Sequence, residues 1–427
     1  MSFNPLKEKG IPVEKQMRTW HEIVKRPYNK AFVDCYSRTR QILMNGIEVE
    51  AWNFKHCLSR MIDDVETNKL IGATRRIEDM HQTTVNWLFP ACQSVLETTL
   101  AYEQVAVDLT SWLAQNEPDE YVRETYNFGL LEDFDHLYRY AQWYYMIEGE
   151  MPDNILQGQT DVFPGRPTQN HHNSNQMRLR RHYDKNTASP QTKVNIMTLV
   201  AGEQQTHNFY AEHGFMYGND VLRKLYGEIK DVEEEHVTMY ESLVDPTESI
   251  WEKLVMHEYT EICNYHNCMK DETDERLKLI WEELMMHEVG HLHIANKLLQ
   301  KYEKRDAEEI IGTTVFDTCT FKSQKDYVQK ILEKEIDKRM DGTDKMGYTT
   351  IDKLPEDWES YDVQEILNGD GAPSEQTIVL IQEHIGRDLI TANEALQKKE
   401  AKLIEKGLEK VVQAPNTVTA EEYKEME

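Results

Sequence analysis

Four times along this chain a glutamate is followed, thirty residues later, by an acidic residue, and three positions beyond that by a histidine. The units are Glu48 with Glu78 and His81, Glu103 with Asp133 and His136, Glu203 with Glu233 and His236, and Glu258 with Glu288 and His291. Of the 16 histidines only these four have an acid three positions earlier, and each of the four also has a glutamate 33 positions earlier. In a chain this acidic, about half a match is expected by chance. The units are also evenly placed. Glu48 and Glu103 lie 55 residues apart, as do Glu203 and Glu258, and the whole pair recurs at an offset of 155. An internal duplication of an already duplicated unit accounts for the pattern.

The spacing constrains the fold. A helix rises about 1.5 Å per residue and sets positions i and i+3 on one face. A chain that climbs for half of such a unit, turns and descends brings its acid-x-x-His pair level with the lone glutamate. Each unit is therefore expected to be an antiparallel helical hairpin. Two hairpins packed together converge four carboxylates and two imidazoles. That donor set suits two hard-to-borderline divalent ions, whose four positive charges offset the carboxylates. Without cations, such buried like charges are costly. The rest of the pattern is helical too. Apolar residues recur at helical spacing in Val95–Leu113 and Trp251–Cys263, and runs of β-branched residues are rare. Pro90 punctuates one junction, and Asp245-Pro246-Thr247-Glu248 reads as a helix start. Asn116–Asp119 and Asp271–Asp274 read as turns between helices.

A glutamate from each of two helices plus Glu-x-x-His from each of two others resembles the ferritin-like di-iron carboxylate superfamily. The texture of Tyr102-Glu103-Gln104 and Gly202-Glu203-Gln204 is similar to rubrerythrin, and the resemblance covers about residues 45–300. It implies an all-α fold with eight core helices in two ferritin-like four-helix bundles, followed by a helical C-terminal extension. It also implies two di-metal centres, with iron first and manganese or a mixed pair as alternatives. The twelve residues named above are the implied ligands. Asp133 departs from the pattern because its arm is shorter than that of glutamate, and Glu132 is a candidate substitute. Tyr140 and Tyr240 each follow a ligand histidine by four positions and are candidate auxiliary groups, though core aromatics are the simpler reading. His207, His213, His257 and His287 lie near the motifs, where a supporting or surface role is expected of each.

Two pairings of the hairpins fit. The sequential one joins neighbours. The interleaved one joins the second hairpin to the third and the first to the fourth, and it is preferred. A ferritin-like bundle needs one long crossover, and only the Pro-, Gly-, Asn- and His-rich segment 151–190 is long enough. The chain then divides into an N-terminal segment (1–40), a first pair of hairpins (41–150), the crossover (151–190), a second pair (191–304) and a C-terminal extension (305–427). Helices are expected in the extension near 324–338 and 374–412, separated by a turn at 368–371, with a disordered end.

Composition narrows the partners. A net charge of −28 disfavours nucleic acid and anionic membranes. No signal peptide or spanning segment is expected, and the six scattered cysteines form no Cys-x-x-Cys pair, which suits a reduced, cytoplasmic setting. Cys263 and Cys268 are expected to be buried thiols. The basic island Arg178–His182 is read as an internally paired loop in preference to a docking site for an acidic partner.

The resemblance implies a redox enzyme that reacts with dioxygen or peroxide as peroxidase, oxidase or oxygenase. A separate electron donor, a small organic substrate and a homo-oligomer fit that expectation. An iron-oxidising storage protein and a structural helical protein with vestigial sites are the alternatives.

Overall fold

The computed structural model describes residues 3–385. The chain is all-α apart from one small two-stranded sheet among the described residues. Eight long helices carry the core: α1 (Cys35–Ser59), α2 (Val65–Asn86), α3 (Val95–Asn116), α4 (Glu120–Glu148), α5 (Pro190–His213), α6 (Asp220–Glu241), α7 (Ile250–Asp271) and α8 (Glu275–Glu303).

Local chemistry sets where each begins. Every one starts on a side chain that accepts from a backbone N–H of the first turn: Asp34, Asp64, Ser94, Asp119, Ser189, Asn219, Ser249 and Asp274. Such a cap contributes about 1 kcal/mol. Ser94 with Glu97 and Ser249 with Glu252 form reciprocal capping boxes. The caps of α1 to α4 and those of α5 to α8 recur 155 residues apart, so the duplication extends from the acids and histidines to the punctuation of the fold.

The helices pair as the hairpins α1–α2, α3–α4, α5–α6 and α7–α8. The four that carry lone glutamates, α1, α3, α5 and α7, meet in the middle of the molecule. Their partners make contact outside them, α2 with α8 and α4 with α6. Gly46 lets α1 approach α5 closely, because a Cβ there would collide with the Ala201 carbonyl.

The segment between α4 and α5 contains three single turns and is largely buried. Buried loop backbone needs partners, and α4 supplies them. Asp135 accepts from the N–H groups of Gly165 (3.1 Å) and Thr168 (2.9 Å), and the Leu131 carbonyl accepts from that of Arg166 (3.0 Å). At Gly165 the two backbones leave no room for a side chain. Gly165→Ala should therefore lift the loop and cost about 1–3 kcal/mol. Chemical denaturation measures this, and a neutral substitution would show that the loop is not held against α4.

The extension departs from expectation in two places. The helix expected near 324–338 is α9 (Lys325–Glu335), and the chain then turns into strand β1 (Lys338–Met340), paired antiparallel with β2 (Tyr348–Thr350). An unexpected helix, α10 (Ser360–Asn368), precedes α11 (Pro373–Ile385). The rest of the helix expected to 412, and the disordered end, lie outside the described residues. Helix α11 packs on α4 and α6, with Arg139 pairing to Glu375 (3.3 Å) and Trp143 donating to Thr377 (2.8 Å). No described helix is long and apolar enough to cross a membrane.

Candidate metal centres

The helices gather the twelve acids and histidines into two clusters, which follow the interleaved grouping. Centre I joins the first and fourth units: Glu48 of α1, Glu78 and His81 of α2, Glu258 of α7, and Glu288 and His291 of α8. Centre II joins the second and third: Glu103 of α3, Asp133 and His136 of α4, Glu203 of α5, and Glu233 and His236 of α6. None of the twelve is more than 3% exposed.

Each centre is built around one carboxylate that reaches both imidazoles. In centre I, Glu288 places Oε1 2.8 Å from His81 Nδ1 and Oε2 2.6 Å from His291 Nδ1. In centre II, Glu233 does the same, 3.1 Å from His136 Nδ1 and 3.3 Å from His236 Nδ1. Asp133 reaches His236 Nδ1 alone, at 3.2 Å. The shorter acid thus stands at one side of its cluster, and a full-length glutamate spans the middle.

All four histidines turn the same way. Each presents Nδ1 to the carboxylates and ties Nε2 to a group behind it. His236 Nε2 meets Glu132 (2.7 Å), His291 Nε2 meets Gln16 Oε1 (2.7 Å), His81 Nε2 meets His287 Nδ1 (2.8 Å), and His136 Nε2 meets His171 Nδ1 (3.3 Å). The Gln16 amide is oriented by donating to the carbonyls of Ile11 and His287. Glu132 is therefore no substitute for Asp133. It lies behind His236 and pairs with Arg178 (2.8 Å) and Arg166 (3.3 Å), which overcome the effect of burial and hold its carboxyl well below the usual range. Burial, above all, pushes His171 well below the usual imidazole range and His287 down to about 2.

The electrostatics are those of a site short of positive charge. Burial, then the neighbouring acids, push Glu103 and Glu203 well above the ordinary carboxylate range. Burial opposes protonation of His81, yet Glu48 and Glu288 raise it to about 10; at His236, Asp133 and Glu132 overcome burial and hold the imidazole well above its usual range. Hydrogen bonds from His136 and His236 outweigh burial and lower Glu233 to about 2. An oxygen of each of Glu48, Glu78, Glu103, Asp133, Glu203 and Glu258 is buried with no hydrogen-bond donor. Orphaned acceptors at this density fit cations as partners.

Other residues fall outside the clusters. Tyr140 and Tyr240 are wholly buried and their hydroxyls make no hydrogen bond to the cluster residues. The tyrosines that do are Tyr265, which donates to Glu48, and Tyr210, which donates to Glu103. Each sits seven positions after a lone glutamate, Glu258 or Glu203, on the inward face, a repeat signal present in the sequence. His207 bonds Asn208 and His213 bonds the Phe209 carbonyl, while His257 stacks on Phe54 at 4.0 Å. Cys263 and Cys268 are buried free thiols. In the basic island, Arg178 is internal and also pairs with Glu235. A cavity of about 880 Å³ is lined by Asn45, Trp52, Gln82, Tyr102, Gln205 and Phe209 among others, but by none of the twelve cluster residues. No family model, curated protein or solved structure matches the chain.

Proposed function

We propose that this is a ferritin-like metalloprotein whose two clusters bind divalent metal, iron foremost, and that it acts in redox chemistry on dioxygen or peroxide. One observation carries the reading. Four histidines on four hairpins all direct Nδ1 into a carboxylate cluster and secure Nε2 from behind, which is how proteins prepare imidazole as a metal ligand. Carboxylate and imidazole together are the donors of iron and manganese. The residues that would hold the metal are the twelve of centres I and II. When bound, the metal would supply electrons and Lewis acidity. The chain's part is to fix the donors, exclude bulk water and hold nearby protons. Tyr210 and Tyr265 keep a hydroxyl proton on one carboxylate of each centre. Electrons would come from a separate donor protein.

The test is anaerobic loading with iron(II), followed by exposure to oxygen or peroxide. Retained iron and a rapid optical change on exposure are expected. Protein that retains no iron, or retains it without reaction, rejects this function. A large assembly with a mineral core would favour iron storage instead.

A further inference from the structure

The two centres are not equivalent, because a lysine enters one of them. Lys55 lies on α1 two turns after Glu48 and is wholly buried. Its ammonium pairs with Glu78 and lies 2.7 Å from Glu258 Oε1. Those two acids belong to one donor group of centre I, made by Glu78, Glu258, Glu288 and His291. The other group, made by Glu48, His81 and Glu288, has no ion pair to a lysine or arginine among the described residues.

The repeat shows that this is a departure. Seven positions after the other lone glutamates stand Thr110, Tyr210 and Tyr265. Two of these give a hydroxyl to a carboxylate of the facing hairpin, and none carries positive charge. Lys55 comes with a second departure. Glu261, also buried, adds an acid beside it, where the equivalent positions hold Ala51, Ala106 and Thr206.

We propose that Lys55 is a built-in cation that takes the place of one divalent ion, so that centre I holds a single metal and only centre II holds a pair. A divalent ion on the oxygens of Glu78 and Glu258 would press against the ammonium, like charge on like charge. Lys55 already engages oxygens of Glu78 and Glu258, so the donor group it leaves open in centre I is that of Glu48, His81 and Glu288, enough for one ion. Centre II has no such ammonium among the described residues, and both of its donor groups stay open. The inference rests on the metal-centre reading above.

The experiment counts manganese(II) retained per chain after anaerobic loading and desalting. Three ions are expected in the wild-type protein. In His136→Ala/His236→Ala, which dismantles centre II, one ion is expected, with the paramagnetic resonance spectrum of an isolated ion. Lys55→Thr, which installs the Thr110 equivalent, should raise that count from one to two. If Lys55→Thr does not fold, the wild-type and double-histidine counts still decide. Four ions in the wild type, or a spin-coupled pair surviving in the double-histidine variant, overturns the role of Lys55 and leaves the metal centres standing. Two ions in the wild type with none left in that variant also overturns it. No retained metal in any form overturns the metal-centre reading itself.

Discussion

Replacing Arg178 by methionine should cost about 3–5 kcal/mol of stability, because it leaves the buried Glu235 without its arginine and Glu132 with Arg166 alone. The guanidinium is fully buried, pairs with Glu132 and Glu235, and donates to the His171 carbonyl. It joins the crossover loop, α4 and α6 in one network, and through Glu132 it reaches His236. Urea denaturation gives the stability change. Arg181→Met is the control, since Arg181 is exposed and stacks over Tyr121 at the surface, and a change within about 0.5 kcal/mol is expected there. Adding Glu235→Gln to Arg178→Met should recover part of the loss, because the amide removes the charge left unpaired. A cost for Arg178→Met no larger than that of the control would mean that the network is not what secures the loop.

Metal should change the stability most, with a pH dependence that its ligands set. At a thousandfold excess over its Kd, each ion bound only by the folded state adds about 4 kcal/mol. Loading the stripped protein should then raise Tm by roughly 10 °C. The sign of the pH effect follows from the raised groups. Glu103, Glu203, His81 and His236 hold protons in the stripped protein to a higher pH than they otherwise would. Metal takes the same atoms, so binding releases those protons. The gain in Tm on loading should therefore shrink as pH falls from 8 toward 5, and unbuffered protein should acidify its solution when metal is added. A gain that grows toward low pH would contradict the assignment of these groups as ligands.

The gathering of these acids and histidines into two clusters was legible because helical geometry turns spacing into position. An acid at i and a histidine at i+3 can face only one way, and a constant return distance sets them level with the lone glutamate. The grouping of hairpins was legible from a single long loop. What stayed hidden comes from segments outside the repeat. Gln16 lies in the N-terminal segment and His171 in the crossover, and nothing in their local sequence shows which histidine they will meet. Lys55 was hidden for a different reason. A lysine on an acidic helix is ordinarily a solvated one, and only comparison of the seventh position across the four units marks it. The same comparison would have selected Tyr210 and Tyr265 over Tyr140 and Tyr240. The strands β1 and β2 are three residues each, too short for alternation to register.

The interleaved grouping gives the two centres different histories during synthesis. Centre II is enclosed by the crossover and completes as soon as the third hairpin leaves the ribosome. Centre I joins the first hairpin to the last, and the first hairpin must wait for its partner while the chain between His81 and His291 is made. At about 5–20 residues per second this takes on the order of 10–40 s. For that interval α1 and α2 expose an unmatched face bearing Glu48 and Glu78. Lys55 is already on that face, two turns along the same helix from Glu48, so the nascent hairpin carries its own counterion before any metal or partner arrives.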